Sequence, residues 1–165
     1  KLKDAAGQFG YSAGADDCYL ALRGMRTMGV RMQRHQSSAL AVAEWLRSRP
    51  EVLRVLHPAF SDHPGHDLWK RDFRGSSGLF GVLLQPVSEK AVAAMLEPMK
   101  FFKIGSSWGG YESLITPAYP APDSLRTATR WEEAGTLIRI HVGLENVDDL
   151  IADLEEGFQR LREAQ

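Results

Sequence analysis

The sequence predicts an α/β fold: a small, mainly antiparallel sheet of about four strands with helices packed on one face. Three observations lead there. Long stretches of helical periodicity come first, and short strand-like runs separated by helices follow. Residues 137–142 alternate, with Ile138, Ile140 and Val142 on one side and Leu137, Arg139 and His141 on the other. Beyond them Val147, Leu150, Ile151, Leu154, Phe158 and Leu161 form one apolar stripe at helical spacing.

Taken in order, Asp16 or Asp17 is placed to cap a helix running through Tyr19, Leu20, Leu22 and Arg23 towards Met28. Gly29 allows a break. A second helix reads from about Val30 to Arg49, and Pro50 stops it because the residue before a proline disfavours helix. Val52 to Leu56 reads as a strand ended by His57-Pro58, and Asp67 to Phe73 as a short helix after a turn-rich stretch. Leu79 to Gln85 is strand-like between Gly78 and Pro86. Ser88 opens a helix with Val92, Met95 and Leu96 inward, and Phe101 to Gly105 is a further short strand.

Ser106 to Ser124 holds two adjacent glycines and three prolines and reads as an ordered, irregular loop. After the alternating strand, Asn146 caps the last helix, with Asp149 in a variant of the capping box. Asp148 and Asp149 in its first turn and Arg160 and Arg162 in its last suit the helix dipole. The Met and Trp residues read mostly as core.

The 165 residues fit one domain. A formal net charge of -1 gives no electrostatic case for nucleic acid or an anionic membrane surface. No apolar run approaches the ~20 residues that span a bilayer. Cys18 stands alone, so an internal disulfide is excluded, a reducing cytoplasm is the expected compartment, and the thiol is expected to be packed.

Arg139 is the charged residue with the most to say. It sits in a strand whose other face is apolar, so its fork either grips a carboxylate or faces solvent on an open sheet. Ser106 to Ser113 (SSWGGYES) is the most unusual stretch. Its glycines let backbone N–H groups approach an anion, or else form a tight turn around a buried Trp108. His141 shares a face with Arg139 and is expected near the same cleft. Gly75 to Gly78 lacks the spacing and lysine of a phosphate loop and reads as a plain turn. His57, His63 and His66 fall in a proline-rich loop without metal-ligand spacing, so no metal is expected. No nucleophile-elbow motif occurs.

Four ordered segments carry a resemblance. "RGMRTMGVRMQRH" (Arg23 to His35), "GHDLWKRDFRGSSGLF" (Gly65 to Phe80), "SSWGGYESLITP" (Ser106 to Pro117) and "GTLIRIHVGLENVDDLIADLEEGF" (Gly135 to Phe158) resemble the Cys/Met-metabolism family of pyridoxal-phosphate (PLP) enzymes. That family includes cystathionine β-lyases, γ-synthases and γ-lyases and methionine γ-lyases. Tryptophan and tyrosine around the Gly-Gly pair lean towards the β-lyases.

The resemblance implies the C-terminal domain of a fold-type I PLP enzyme over residues 15–165, with 1–14 a remnant of an interdomain segment and the large cofactor-binding domain absent. It implies that Arg139 grips the substrate α-carboxylate and that Ser107 and Trp108 line the same site. The implied substrate is a small amino-acid thioether, cystathionine, cleaved to homocysteine, pyruvate and ammonia. These enzymes hold PLP on a lysine in a Ser-x-Thr-Lys context, which Lys1, Lys3, Lys70, Lys90, Lys100 and Lys103 all lack. No catalytic or cofactor-binding residue is therefore expected within this chain, and PLP is not expected to be bound covalently to it. The parent is expected to be a homotetramer, and the chain alone to self-associate through bared interdomain surface.

Overall fold

The computed structural model describes residues 1–119 and 131–165. In chain order the elements are α1 (Leu2–Gln8), α2 (Ala15–Arg26), α3 (Met28–Arg47), β1 (Val52–Leu56), α4 (His66–Asp72), β2 (Leu79–Leu84), α5 (Glu89–Leu96), β3 (Lys103–Ile104), β4 (Leu114–Pro117), β5 (Thr136–His141) and α6 (Val147–Glu163).

The sheet has five strands in the order β1-β2-β5-β4-β3, where about four were expected. It is mainly antiparallel, as expected, but β3 lies parallel to β4, which makes it mixed. The added strand is β4, within the stretch read as an irregular loop; the part of that expectation over 120–124 lies outside the described residues. β4 exists because Leu114 to Pro117 pairs with β5, placing Ile115 opposite Ile140. That is tertiary pairing, which local glycine and proline content does not foretell.

The strands contribute residues of one parity to the core: Val55, Phe80, Val82, Leu84, Ile115, Ile138 and Ile140. Against that face lie Val42 and Leu46 of α3, Val92 and Met95 of α5, and Leu150, Leu154 and Phe158 of α6. Helices on one face were expected, and these three supply them. Alternation leaves Gly81, Leu137, Arg139 and Thr116 on the other face.

Caps agree with the sequence at two helices. Ser88 accepts from the Ala91 N–H at 3.2 Å, and Asn146 accepts from the Asp148 N–H at 2.9 Å. They disagree at α2, where Gly14 is the capping position and Asp16 and Asp17 lie in the first turn, complementing the helix dipole. The break between α2 and α3 falls at Thr27, and Gly29 is helical.

α1 and α2 hold no buried residue. Cys18 is accordingly exposed, not packed. Tyr19, Leu20, Leu22 and Met25 are exposed along the same helix, and Met28, Met32 and Trp108 are exposed too. The expectation that the Met and Trp residues are mostly core holds for Met95 and Met99 but not for these.

Asp153 is the polar exception on the core side of α6. Its buried carboxylate accepts backbone N–H groups of Lys100 at 2.9 Å, Phe101 at 2.8 Å and Phe102 at 3.1 Å. It thereby satisfies three donors between α5 and β3 and ties that turn to α6.

Candidate functional site

The strand register fixes Arg139 first. It stands opposite Gly81 of β2 and Thr116 of β4, so only small side chains flank it on its own face. Its Nη2 donates to the carbonyl of Ser106, 33 residues earlier. Among the described residues no carboxylate pairs with it. The arginine expected to grip a carboxylate is therefore in direct contact with the loop expected to help, through Ser106 backbone and not the Ser107 hydroxyl.

That loop is fixed along its length. The His141 ring reaches it in the middle, with Nε2 3.2 Å from the Gly109 nitrogen and 3.1 Å from the Gly110 carbonyl. The Tyr111 carbonyl accepts from the Leu144 N–H at 2.8 Å. At the far end the Glu145 carboxylate accepts from the Ser113 N–H at 2.7 Å and from its hydroxyl at 2.8 Å, while the Ser113 oxygen accepts from the Gly143 N–H at 2.8 Å. Gly109 has φ +84°, a left-handed conformation that side-chain-bearing residues rarely adopt. Ser107 is exposed and Trp108 is 63% exposed, which removes the alternative of a turn around a buried tryptophan.

His141 is itself buried. Burial holds its imidazole below the usual proton affinity, and nearby His35 and Arg139 push the same way against its bond to Gly110 and the charge of Glu145. His141 and Arg139 contact the same loop, at Gly109 and Gly110 and at Ser106. His35, Ser113 and Glu145 were not expected there. No local signal marks them, since Ser113 and Glu145 stand 32 residues apart and His35 comes from α3.

A separate cleft of about 720 Å³ lies between α3 and α4, lined among others by Met32, Gln36, His57, Leu68, Trp69 and Phe73. Arg139, Ser107 and Trp108 are not part of it. The Gly75 to Gly78 turn closes one side, held by Gln36, which accepts from the Ser76 N–H at 2.8 Å. His57 and His63 each accept a backbone N–H through Nδ1, from Ala59 and Gly65. Among the described residues no group of three or more His, Cys, Asp or Glu is placed to hold a metal ion. No described helix is long and apolar enough to cross a membrane.

A family model described as Cys/Met metabolism PLP-dependent enzyme matches residues 1–159. The chain is 47% identical over 163 residues to the cystathionine beta-lyase MetC of Escherichia coli (strain K12), covering 98% of this chain and 41% of that protein. It is 42% identical over 161 residues to an L-alanine/L-glutamate racemase of Wolbachia pipientis wMel, covering 97% of this chain and 40% of that protein. A crystal structure of cystathionine gamma synthase from Xanthomonas oryzae pv. oryzae, in complex with aminoacrylate and cysteine, superposes with a TM-score of 0.80 at 33% identity. That match covers 97% of this chain and 42% of the solved one. The chain thus spans about two-fifths of the length of the relatives it matches.

The lysines here do not suit a covalently held cofactor. Every one is exposed, Lys100 pairs with Glu156 at 2.8 Å, and the Lys103 ammonium donates to the Met99 carbonyl at 3.2 Å. A lysine that must be uncharged to react needs a desolvated pocket, and none of these has one.

Proposed function

The chain belongs to the Cys/Met metabolism family of PLP-dependent enzymes, and from that premise we propose that it is the substrate-carboxylate-holding part of a carbon–sulfur lyase. In this reading residues 15–165 are the C-terminal domain, 1–14 are interdomain remnant, and the cofactor lysine is supplied by a part of the protein that the chain does not span. The substrate is cystathionine, and the products are homocysteine, pyruvate and ammonia.

One observation carries the reading. The Arg139 guanidinium lies against the backbone of the loop bearing Ser107 and Trp108 and is unpaired with any described carboxylate. A substrate α-carboxylate is a planar, two-oxygen acceptor that an arginine fork matches with parallel bonds. Hydrogen bonds to a charged group contribute roughly 1.5–3 kcal/mol each. Ser107 adds a hydroxyl donor and Trp108 an exposed ring able to wall off water. These residues bind and orient the substrate; the bond-breaking chemistry belongs to the remainder of the protein.

Kinetics of the full-length protein test this. Arg139→Ala is expected to lower kcat/KM for cystathionine about a hundredfold, from the loss of one to two charge-assisted bonds. An unchanged KM and kcat would remove the role from Arg139. Release of pyruvate from cystathionine distinguishes the β-cleavage proposed here from the γ-cleavage of related enzymes, which yields a four-carbon keto acid. On this chain alone, borohydride after incubation with equimolar PLP is expected to trap no adduct at one preferred lysine, only sparse labelling spread over the exposed amines.

A further inference from the structure

We propose that His141 is a positioning residue for the Ser106 to Gly110 loop, and that only its uncharged ring can fill that role. The idea rests on the reading of this loop as part of a carboxylate site. The geometry behind it does not.

The ring meets the loop at two consecutive peptide groups of opposite polarity. The Gly109 N–H lies 3.2 Å from Nε2 and 3.5 Å from Nδ1, and the Gly110 carbonyl lies 3.1 Å from Nε2. A neutral imidazole has one bare nitrogen and one N–H. With the proton on Nδ1, Nε2 accepts from Gly109. With the proton on Nε2, that N–H donates to Gly110 instead. The ring protonated on Nδ1 thus offers the Gly109 N–H a lone pair at 3.2 Å. The imidazolium leaves none, and points a proton at a donor.

The ring has little room to turn away. It is 2% exposed, its centroid lies 5.4 Å from that of His35, and a Cβ placed on Gly78 would sit 3.1 Å from its Nδ1. His35 is anchored in turn, with Nδ1 2.8 Å from the Val142 carbonyl. The groups able to carry charge that act on His141 are His35 on α3, Arg139 on its own strand and Glu145 in the turn before α6. The neighbouring ring of His35 disfavours a charge on His141.

Gly109 follows directly on Trp108 in a left-handed conformation, and its N–H belongs to the peptide group that joins the two. Fixing that N–H holds the backbone where Trp108 ends. Arg139 holds the loop at Ser106, and His141 holds it three and four residues later.

The test follows amide hydrogen exchange at Gly109 and the ring signals of His141 by NMR on this chain, between about pH 5 and 8. The expected result is a Gly109 protection factor that falls about tenfold as His141 protonates, the loss of one hydrogen bond. His141→Gln supplies a neutral carbonyl and amide at the same reach and is expected to retain protection with no pH dependence. His141→Leu is expected to lose protection at all pH values. Protection that ignores the His141 titration, or that survives in H141L, overturns the proposal. In the full-length protein H141L is expected to raise KM for cystathionine while H141Q restores it. If Gly109 follows His141 but KM does not, the loop is positioned as proposed and the carboxylate assignment is what fails.

Discussion

Ser113 is bound twice by Glu145, through its backbone N–H at 2.7 Å and its hydroxyl at 2.8 Å, and passes the contact on by accepting from Gly143 at 2.8 Å. The pair joins the end of the candidate loop to the turn that starts α6. Glu145→Ala removes the acceptor from both donors of a fully buried serine. Leaving buried donors unsatisfied is expected to cost about 2–3 kcal/mol, read as a lower urea midpoint with an unchanged slope.

Asp153 presents a second case of one carboxylate serving several backbone groups. Asp153→Ala strands the N–H groups of Lys100, Phe101 and Phe102, at an expected cost of about 3 kcal/mol. Asp153→Asn can place its single carbonyl where one carboxylate oxygen now serves Phe101 and Phe102, so its loss should be clearly smaller. Equal losses in the two variants would contradict the hydrogen-bond account.

Gly109 and Gly110 both have open space where a Cβ would go, but only Gly109 has positive φ, at +84°. Gly109→Ala is therefore expected to cost about 1–2 kcal/mol from backbone conformation alone. Gly110→Ala should be near neutral. Thermal melts of the two variants side by side check this, and similar Tm values would rule it out.

Stability should fall on mild acidification. Burial pushes both His57 and His141 below their ordinary value of 6.5, with His63 adding to the effect at His57. Both rings are therefore neutral in the folded chain at a pH where the unfolded chain has begun to bind protons. Unfolding is then favoured as pH drops from 6.5 towards the folded-state values, and stability is fully present above 6.5. Urea midpoints at about pH 5.5 and 7.5 should differ in that direction. His57→Gln should narrow the gap, because its Nδ1 now accepts from Ala59 and must give up that bond on protonation. A gap of the same size in that variant would acquit His57.

The most periodic segments were the most legible. β5 and α6 follow directly from alternation and stripe, and β1 falls on Val52–Leu56 as read. Arg139 was legible for the same reason, since strand parity alone sends it away from the core. β4 was not, because what makes Leu114 to Pro117 a strand is its pairing with β5, and nothing in four residues ending at a proline announces that partner. Cys18 and Met25 of α2 misled in the other direction: the thiol was expected packed and the methionine in the core, yet both are exposed. At the site, the stretch from Ser106 to Ser113 stood out by its composition, while the roles expected of Ser107 and Trp108 came from the family resemblance. The groups that hold their loop in place, His35, Ser113 and Glu145, meet only on folding.

The sheet finishes, on the β3 side, in two residues, Lys103 and Ile104, one of them charged. A row of free peptide groups at a sheet border is an invitation to foreign strands, and long flat borders are where amyloid-like growth begins. Here that border is too brief to template another chain, and its lysine further discourages apposition. The parallel strand that makes the sheet mixed thus also serves as its hem.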